Sequence, residues 1–169
     1  MSESLLKDRM TEALDSIDFP LSSSRHNIMR GGVAKQGFVL GRVRTWGGGL
    51  QYDPRQFRPS RKTTTNKYKG IWELGKKLMN THDPNFKWTS IQFNKNNRTA
   101  KHKDANNVGE SYMLGLGNYT GGDLLIFDED GKNPKQVNTK GWIKFNGSIY
   151  PHETMPFTGN RYTLVFYKV

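Results

Sequence analysis

His102 and Asp104 stand one residue apart in the stretch Thr99-Ala100-Lys101-His102-Lys103-Asp104. Residues two apart on an extended strand project to the same side, so an imidazole and a carboxylate would project together. A second imidazole, His152, comes far downstream in Tyr150-Pro151-His152-Glu153. Two histidines and one carboxylate are the ligand set of a non-haem Fe(II) facial triad, which leaves coordination positions open for a cosubstrate and oxygen. Taken alone, the pair reads more simply as a surface turn with an unrelated histidine, so the residues downstream of it decide. Arg161 lies nine positions after His152. If the two sit on neighbouring antiparallel strands, the guanidinium reaches the same cavity. Its fork is then the expected anchor for a dicarboxylic cosubstrate. The alternative for Arg161 is a surface ion pair.

The elements that must position these groups are mostly strands. The chain has 169 residues, 34% of them hydrophobic, with 18 glycines and 7 prolines. That suits one domain with an economical core and many turns. A short amphipathic helix is expected over 2–17, with Leu5, Met10, Leu14 and Ile17 on one face and Ser2 as its cap. A strand is expected over 37–46, placing Arg42, Arg44 and Trp46 on one face. Residues 52–69 read as a basic loop holding Tyr52, Phe57 and Tyr68. A second helix is expected over 69–80, with Ile71, Trp72, Leu74, Leu78 and Met79 apolar. Further strands are expected at 87–95, 110–116, 123–127, 142–145, 148–150 and 161–168, with turns at 119–122, 128–131 and Asn146-Gly147. His26 and His82 read as solvated loop residues.

There is no cysteine, which removes disulfides, zinc–thiolate sites, cysteine-ligated iron–sulfur clusters and cysteine nucleophiles together. No apolar run approaches a membrane span and the start lacks a signal-peptide core, so a soluble, intracellular protein (cytoplasmic or nuclear) with no membrane partner is expected. The net charge of +11 is unevenly spread. Residues 1–24 hold 2 basic and 5 acidic groups, 25–87 hold 14 and 3, and 88–169 hold 10 and 7. A basic middle segment interleaved with aromatics suits a polyanion whose bases stack, and nucleic acid is the natural partner. A mobile basic loop that serves solubility is the plainer alternative.

Over 88–169, the order HxD, then the strand opened by Gly121-Gly122-Asp123-Leu124, then His152, then Arg161 resembles the Fe(II)/2-oxoglutarate-dependent dioxygenase superfamily. The resemblance implies a double-stranded β-helix, a cupin-like jelly roll, mostly β with flanking helices. It implies one domain over 1–169: N-terminal helices and a basic substrate-binding segment over 1–87, and a catalytic core over 88–169. It implies Fe(II) on His102, Asp104 and His152, 2-oxoglutarate as cosubstrate with its distal carboxylate on Arg161, and O2 as oxidant. Thr163, two residues on from Arg161, would add a hydroxyl to that carboxylate. Tyr112 and Asn94 fall where the family often places cosubstrate contacts. Packing in a barrel wall is the commoner fate of Thr163 and Tyr112.

The last strand, Arg161-Tyr162-Thr163-Leu164-Val165-Phe166-Tyr167, and the stretch Ala105-Asn106-Asn107-Val108-Gly109 are similar to the TET/JBP branch, whose members oxidise the 5-methyl group of pyrimidines in nucleic acid. This chain lacks that branch's cysteine-rich domain and would be a minimal core, as in small microbial or viral members. The expected function is oxidation of 5-methylcytosine or a thymine-type methyl in DNA, by a monomer. Arg42, Arg44, Trp46 and Asn106 would bind the substrate, and Arg55, Arg58, Arg61 and Lys62 would grip phosphates. The alternatives are a prolyl or lysyl hydroxylase acting on peptides and a non-enzymatic nucleic-acid-binding β-barrel.

Overall fold

The structure, a computed structural model, describes residues 1–22, 29–30, 35–46, 52–105 and 107–169, with 22, 44–46 and 52–59 as backbone only. The described elements begin with α1 (Glu3–Asp15), β1 (Leu21–Ser22), β2 (Lys35–Trp46), β3 (Tyr52–Pro59), a 3-10 turn (Arg61–Thr64), α2 (Lys69–His82) and β4 (Ser90–Lys95). They continue with β5 (Ser111–Leu116), β6 (Tyr119–Gly121), β7 (Leu124–Ile126), β8 (Lys135–Val137), β9 (Trp142–Phe145), β10 (His152–Thr154), β11 (Phe157–Gly159) and β12 (Tyr162–Tyr167). A seven-stranded sheet has the order β1-β2-β4-β12-β5-β9, with β3 also paired to β2. A three-stranded sheet has the order β10-β7-β8, and β11 pairs with β6. The chain divides into two compact units, one of Met1–Asp18, Val39–Ile91 and Val169, the other of Phe19–Phe38 and Gln92–Lys168. No described helix is long and apolar enough to cross a membrane.

In the first unit, Ser2 caps α1 as expected, its hydroxyl accepting from Leu5 N at 3.2 Å. The buried stripe is Leu6, Met10 and Leu14, an i, i+4, i+8 row, so Leu5 is turned out and 42% exposed. Helix α2 buries Ile71, Gly75, Leu78 and Met79, and the two helices pack together. Gly75 is small because Ile91 fills its space: a Cβ there would lie 2.6 Å from Ile91 Cδ1. His82 is not a solvated loop residue. It ends α2, with Nδ1 3.3 Å from Glu3 Oε1. Nor is the whole of 52–69 a loop. Tyr52–Pro59 is a strand antiparallel to β2, with Arg42 opposite Pro59 and Arg44 opposite Phe57. Its prolines suit an edge strand, and among the described residues β3 pairs with β2 alone.

In the second unit, β5 is paired on both sides, to β12 (Thr163 opposite Gly115, Phe166 opposite Tyr112) and to β9 (Leu114 opposite Trp142). Alternation splits these strands into two faces. Phe93, Leu114, Tyr162, Leu164 and Phe166 belong to the apolar face and are fully buried. Phe38 stacks on Phe93 at 4.9 Å, and Phe19 lies 5.2 Å from Phe38 and 5.6 Å from Tyr162. The other face carries Gln92, Asn94, Gly115 and Thr163. Three local expectations are corrected here. Residues 119–121, expected as a turn, form β6 and pair with β11. Residues 148–150, expected as a strand, are a turn in which Ile149 N and Tyr150 N both donate to Asn146 O. Arg161 stands just before β12 rather than inside it.

Candidate metal centre and anion pocket

The sequence separates His102 and His152 by fifty positions, and the fold sets them opposite each other. Each backbone N–H donates to the other's carbonyl at 3.0 Å, an isolated antiparallel bridge that joins the start of β10 to the HxD segment. Their rings lie 4.4 Å apart. Asp104 is fixed by its own amide, which donates to Gly147 O at 2.8 Å. Its carboxylate then faces both rings, with Oδ1 3.6 Å from His102 Nε2 and Oδ2 3.1 Å from His152 Nε2. One ligand atom from each of the three residues falls within 4.8 Å of the others.

The same device orients both rings. His102 Nδ1 lies 2.7 Å from Ala100 O, and His152 Nδ1 lies 3.0 Å from Tyr150 O. A carbonyl only accepts, so each Nδ1 carries a proton and each ring turns its Nε2 toward Asp104. Two Nε2 atoms and a carboxylate then converge. That donor set suits a metal cation, and a carbonyl on the far nitrogen is the usual outer support of a metal-bound histidine. Sequence reasoning found the three side chains and missed this support, because backbone carbonyls leave no signature in residue types.

It also missed Gly147. A Cβ at this position would lie 3.1 Å from both Asp104 Oδ2 and His152 Cε1. Gly147→Ala therefore pushes on the carboxylate and the ring together. Iron affinity is expected to fall about 10- to 100-fold, the range for losing an outer partner of a metal ligand. Titration of the metal-free variant with Fe(II) under anaerobic conditions checks this, and an unchanged affinity would show that the carboxylate and ring are not crowded.

Arg161 is buried, 3% exposed. Its backbone is clamped by Asn96: Arg161 N donates to Asn96 Oδ1 at 2.7 Å and Asn96 N to Arg161 O at 2.8 Å. The guanidinium lies between the rings of Tyr119 and Phe157, 5.6 and 5.4 Å away. Nη2 donates to Gly122 O at 2.9 Å, a carbonyl that also accepts from Thr139 Oγ1 at 3.1 Å. The Thr139 hydroxyl in turn pairs with that of Tyr119 at 2.9 Å. Gly122 must be glycine, since a Cβ would lie 2.6 Å from Arg161 Nε. That Nε is a buried donor with no partner among the described residues. Burial pulls the guanidinium below the usual arginine range, opposed by Tyr119 and Asp123. Arginine stays charged regardless, so the pocket holds a desolvated cation with an unused N–H, the complement of a carboxylate.

The other expected site residues separate into groups. Thr163 is buried on the face opposite the apolar core, and its Oγ1 accepts from Asn94 Nδ2 at 3.2 Å. Asn94 is further tied to Gln92 and Asn97. Tyr112 is not brought to them. It pairs across from Phe166, so it points to the apolar face, edge-on to Trp142 at 5.8 Å. Arg42 is exposed on β2 in the first unit. Arg44 and Trp46 lie on the same strand, and its register against β3 shifts between them. Arg61 and Lys62 are exposed on the 3-10 turn, while Arg55 and Arg58 lie in β3. Asn106 and His26 lie outside the described residues.

Solved structures share this architecture at low sequence identity. A 2OG-Fe(II) oxygenase family oxidoreductase from Burkholderia pseudomallei matches over 95% of this chain and 76% of its own, with 13% identity and a TM-score of 0.58. A Pseudomonas putida prolyl-4-hydroxylase matches over 99% and 88%, with 16% identity and a TM-score of 0.56. NgTET1 in complex with 5mC DNA matches over 99% and 69%, with 15% identity and a TM-score of 0.59. No family profile and no curated protein sequence matches. The likeness is one of fold. It bears out the expected mostly-β jelly roll with helices.

Proposed function

We propose that this chain is an Fe(II)- and 2-oxoglutarate-dependent dioxygenase that oxidises a methyl group on a base of DNA, of the 5-methylcytosine or thymine type. The observation that carries the reading is the convergence of His102 Nε2, His152 Nε2 and an Asp104 oxygen within 4.8 Å, with both Nδ1 atoms turned to carbonyls. Two imidazoles and one carboxylate fit divalent iron and leave positions open. Arg161 supports the cosubstrate assignment: its orphaned buried Nε fits the distal carboxylate of 2-oxoglutarate. Bound iron, with 2-oxoglutarate as electron donor and O2 as oxidant, supplies oxidation of an unactivated C–H bond.

The protein's share is positional. His102, Asp104 and His152 would hold the metal, and the carbonyls of Ala100 and Tyr150 keep their rings turned inward. Arg161, set by Gly122 O and Asn96, holds the cosubstrate in one orientation. Thr163 and Asn94 offer a hydroxyl and an amide on the same polar face. Nucleic acid is supported by charge, since 25–87 carries 14 basic groups against 3 acidic. Arg42, Arg44, Trp46 and Asn106 are the proposed substrate contacts. The direct test incubates the protein with Fe(II), 2-oxoglutarate and methylated DNA, then digests the DNA for mass spectrometry. Oxidised methylpyrimidine is expected. Succinate release with unaltered DNA would remove the substrate assignment and leave the chemistry.

A peptidyl prolyl or lysyl hydroxylase is the second reading, favoured by equal likeness of fold to the prolyl-4-hydroxylase. Salt separates the two. Binding through phosphates releases counterions, so log affinity for DNA should fall linearly with log salt, with a slope of about −0.7 per phosphate contact on a single strand. Anisotropy titrations between 50 and 200 mM salt (about a fourfold span) are expected to show a steep loss. A flat profile would favour the peptide substrate.

A further inference from the structure

Six large hydrophobic side chains are exposed among the described residues: Met1, Leu5, Leu21, Val108, Ile149 and Tyr150. Three stand in the first 21 positions. The other three gather beside the metal ligands in sequence and in hydrogen bonding. Val108 comes four residues after Asp104, and Ile149 and Tyr150 precede His152 by three and two. Scattered single apolar residues on a surface need no explanation. Three on the two loops that carry the ligands do.

Both loops are pinned. Asn107 N donates to Asp104 O at 3.0 Å and Val108 N to Lys168 O at 2.8 Å. Across from them, Ile149 N and Tyr150 N donate to Asn146 O, and Ser148 N donates to Asn146 Oδ1. Gly147 O takes the Asp104 amide, and Tyr150 O takes the His152 ring proton. The turn is therefore built into the ligand support. Its apolar side chains nonetheless stay outside, at 40% exposure for Ile149 and 37% for Tyr150, with Val108 at 54%. A fold that buries Leu114, Leu164 and Phe166 completely leaves an isoleucine and a tyrosine in water next to its metal centre. Exposed cations stand beside these side chains, Lys103 on the HxD loop and Lys168, whose carbonyl takes the Val108 amide, while Lys101 is turned to Gly131 O and the Phe127 ring.

We propose that Val108, Ile149 and Tyr150 form an apolar rim at the metal centre on which the bases flanking the target nucleotide stack. This rests on the nucleic-acid reading above and adds the surface that recognises the strand. The chemistry that selects the occupant is the pairing of apolar and aromatic groups with flanking cations, which matches a base and its phosphate. A rim held by hydrogen bonds to the ligand loops would also fix the distance between a stacked base and the iron.

The test is anisotropy of a fluorescein-labelled single-stranded oligonucleotide holding one 5-methylcytosine, bound to the full chain with Mn(II) in place of iron. Tyr150→Ser is expected to bind on the order of tenfold more weakly, the effect of losing one stacking partner. Its salt slope should match wild type, because stacking releases no counterions. Tyr150→Trp should bind at least as tightly as wild type. The paired change Val108→Ser with Ile149→Ser should weaken binding again, without altering the slope. Equal binding by wild type and Tyr150→Ser overturns the rim and leaves the nucleic-acid reading standing. Equal weakening by the Ser and Trp changes also overturns it, since a disturbed turn and not stacking would be the cause. If wild type binds no oligonucleotide, the nucleic-acid reading fails and the rim fails with it.

Discussion

Asp104→Asn is expected to abolish iron binding while leaving the metal-free protein folded. The asparagine keeps the shape of the aspartate and the backbone bond from its amide to Gly147 O. What changes is the atom 3.1 Å from His152 Nε2. His152 Nδ1 is turned to Tyr150 O, so Nε2 is the ring atom that faces this position. An amide at that position keeps a hydrogen-bonding group opposite Nε2 and removes the negative charge that a bound cation needs. The variant thus keeps the packing of the apo state and loses a ligand. Losing a carboxylate ligand should cost more than the roughly 100-fold lost with an outer partner. Thermal unfolding with and without Fe(II), under anaerobic conditions, separates the two effects. Wild type should gain about 2.7 kcal/mol at a hundred times Kd, and the asparagine variant nothing. An asparagine variant stabilised by iron as much as wild type would show that the triad is an ordinary hydrogen-bonded cluster.

The side chains of this centre were legible because chemistry restricts them to few residue types. Without cysteine, only histidine and carboxylate were obvious ligands, and the order of HxD, His152 and Arg161 along the chain limited the choice further. What holds them was not legible. Ala100 and Tyr150 act through carbonyls, which every residue has. Gly147 and Gly122 act through the side chain they lack, and each was visible in sequence only as part of a turn. Tyr112 shows a different limit. Its face depends on which residue of β12 stands opposite, and pairing with Phe166 sends it to the apolar side, away from Thr163. The helix face erred by one position for a related reason. Leu5 and Leu6 fit the period nearly equally, and only packing chose Leu6. Between Tyr52 and Pro59, prolines and basic residues read as loop, and pairing with β2 overrode that local preference.

Arg161→Met carries the second large effect, and it too is expected to divide affinity from stability. The methionine keeps length and apolar bulk between Tyr119 and Phe157 while removing the charge. In wild type a cation is held out of water by Gly122 O, with Tyr119 and Asp123 beside it and its Nε unpartnered among the described residues. An unsatisfied buried donor costs about 1–3 kcal/mol, and replacing buried ions by apolar residues of similar volume is often neutral or stabilising. Unfolding free energy should therefore stay level or rise. Gly122 O keeps Thr139 as a donor, so the change strands no carbonyl. Affinity for 2-oxoglutarate should collapse, because removing one member of a buried charge pair costs about 2–5 kcal/mol, at least roughly 30-fold in Kd. Iron affinity should hold, since the triad contains no atom of Arg161. Calorimetric titration of Mn(II)-loaded protein with 2-oxoglutarate reads the loss directly. Arg161→Lys should recover little of it, because an ammonium cannot reproduce the guanidinium fork. Should the methionine variant bind 2-oxoglutarate as wild type does while unfolding more easily, the buried guanidinium would be a structural clamp on Gly122. The carboxylate of the cosubstrate would then have to be held by Thr163 and Asn94, the other polar groups on that face.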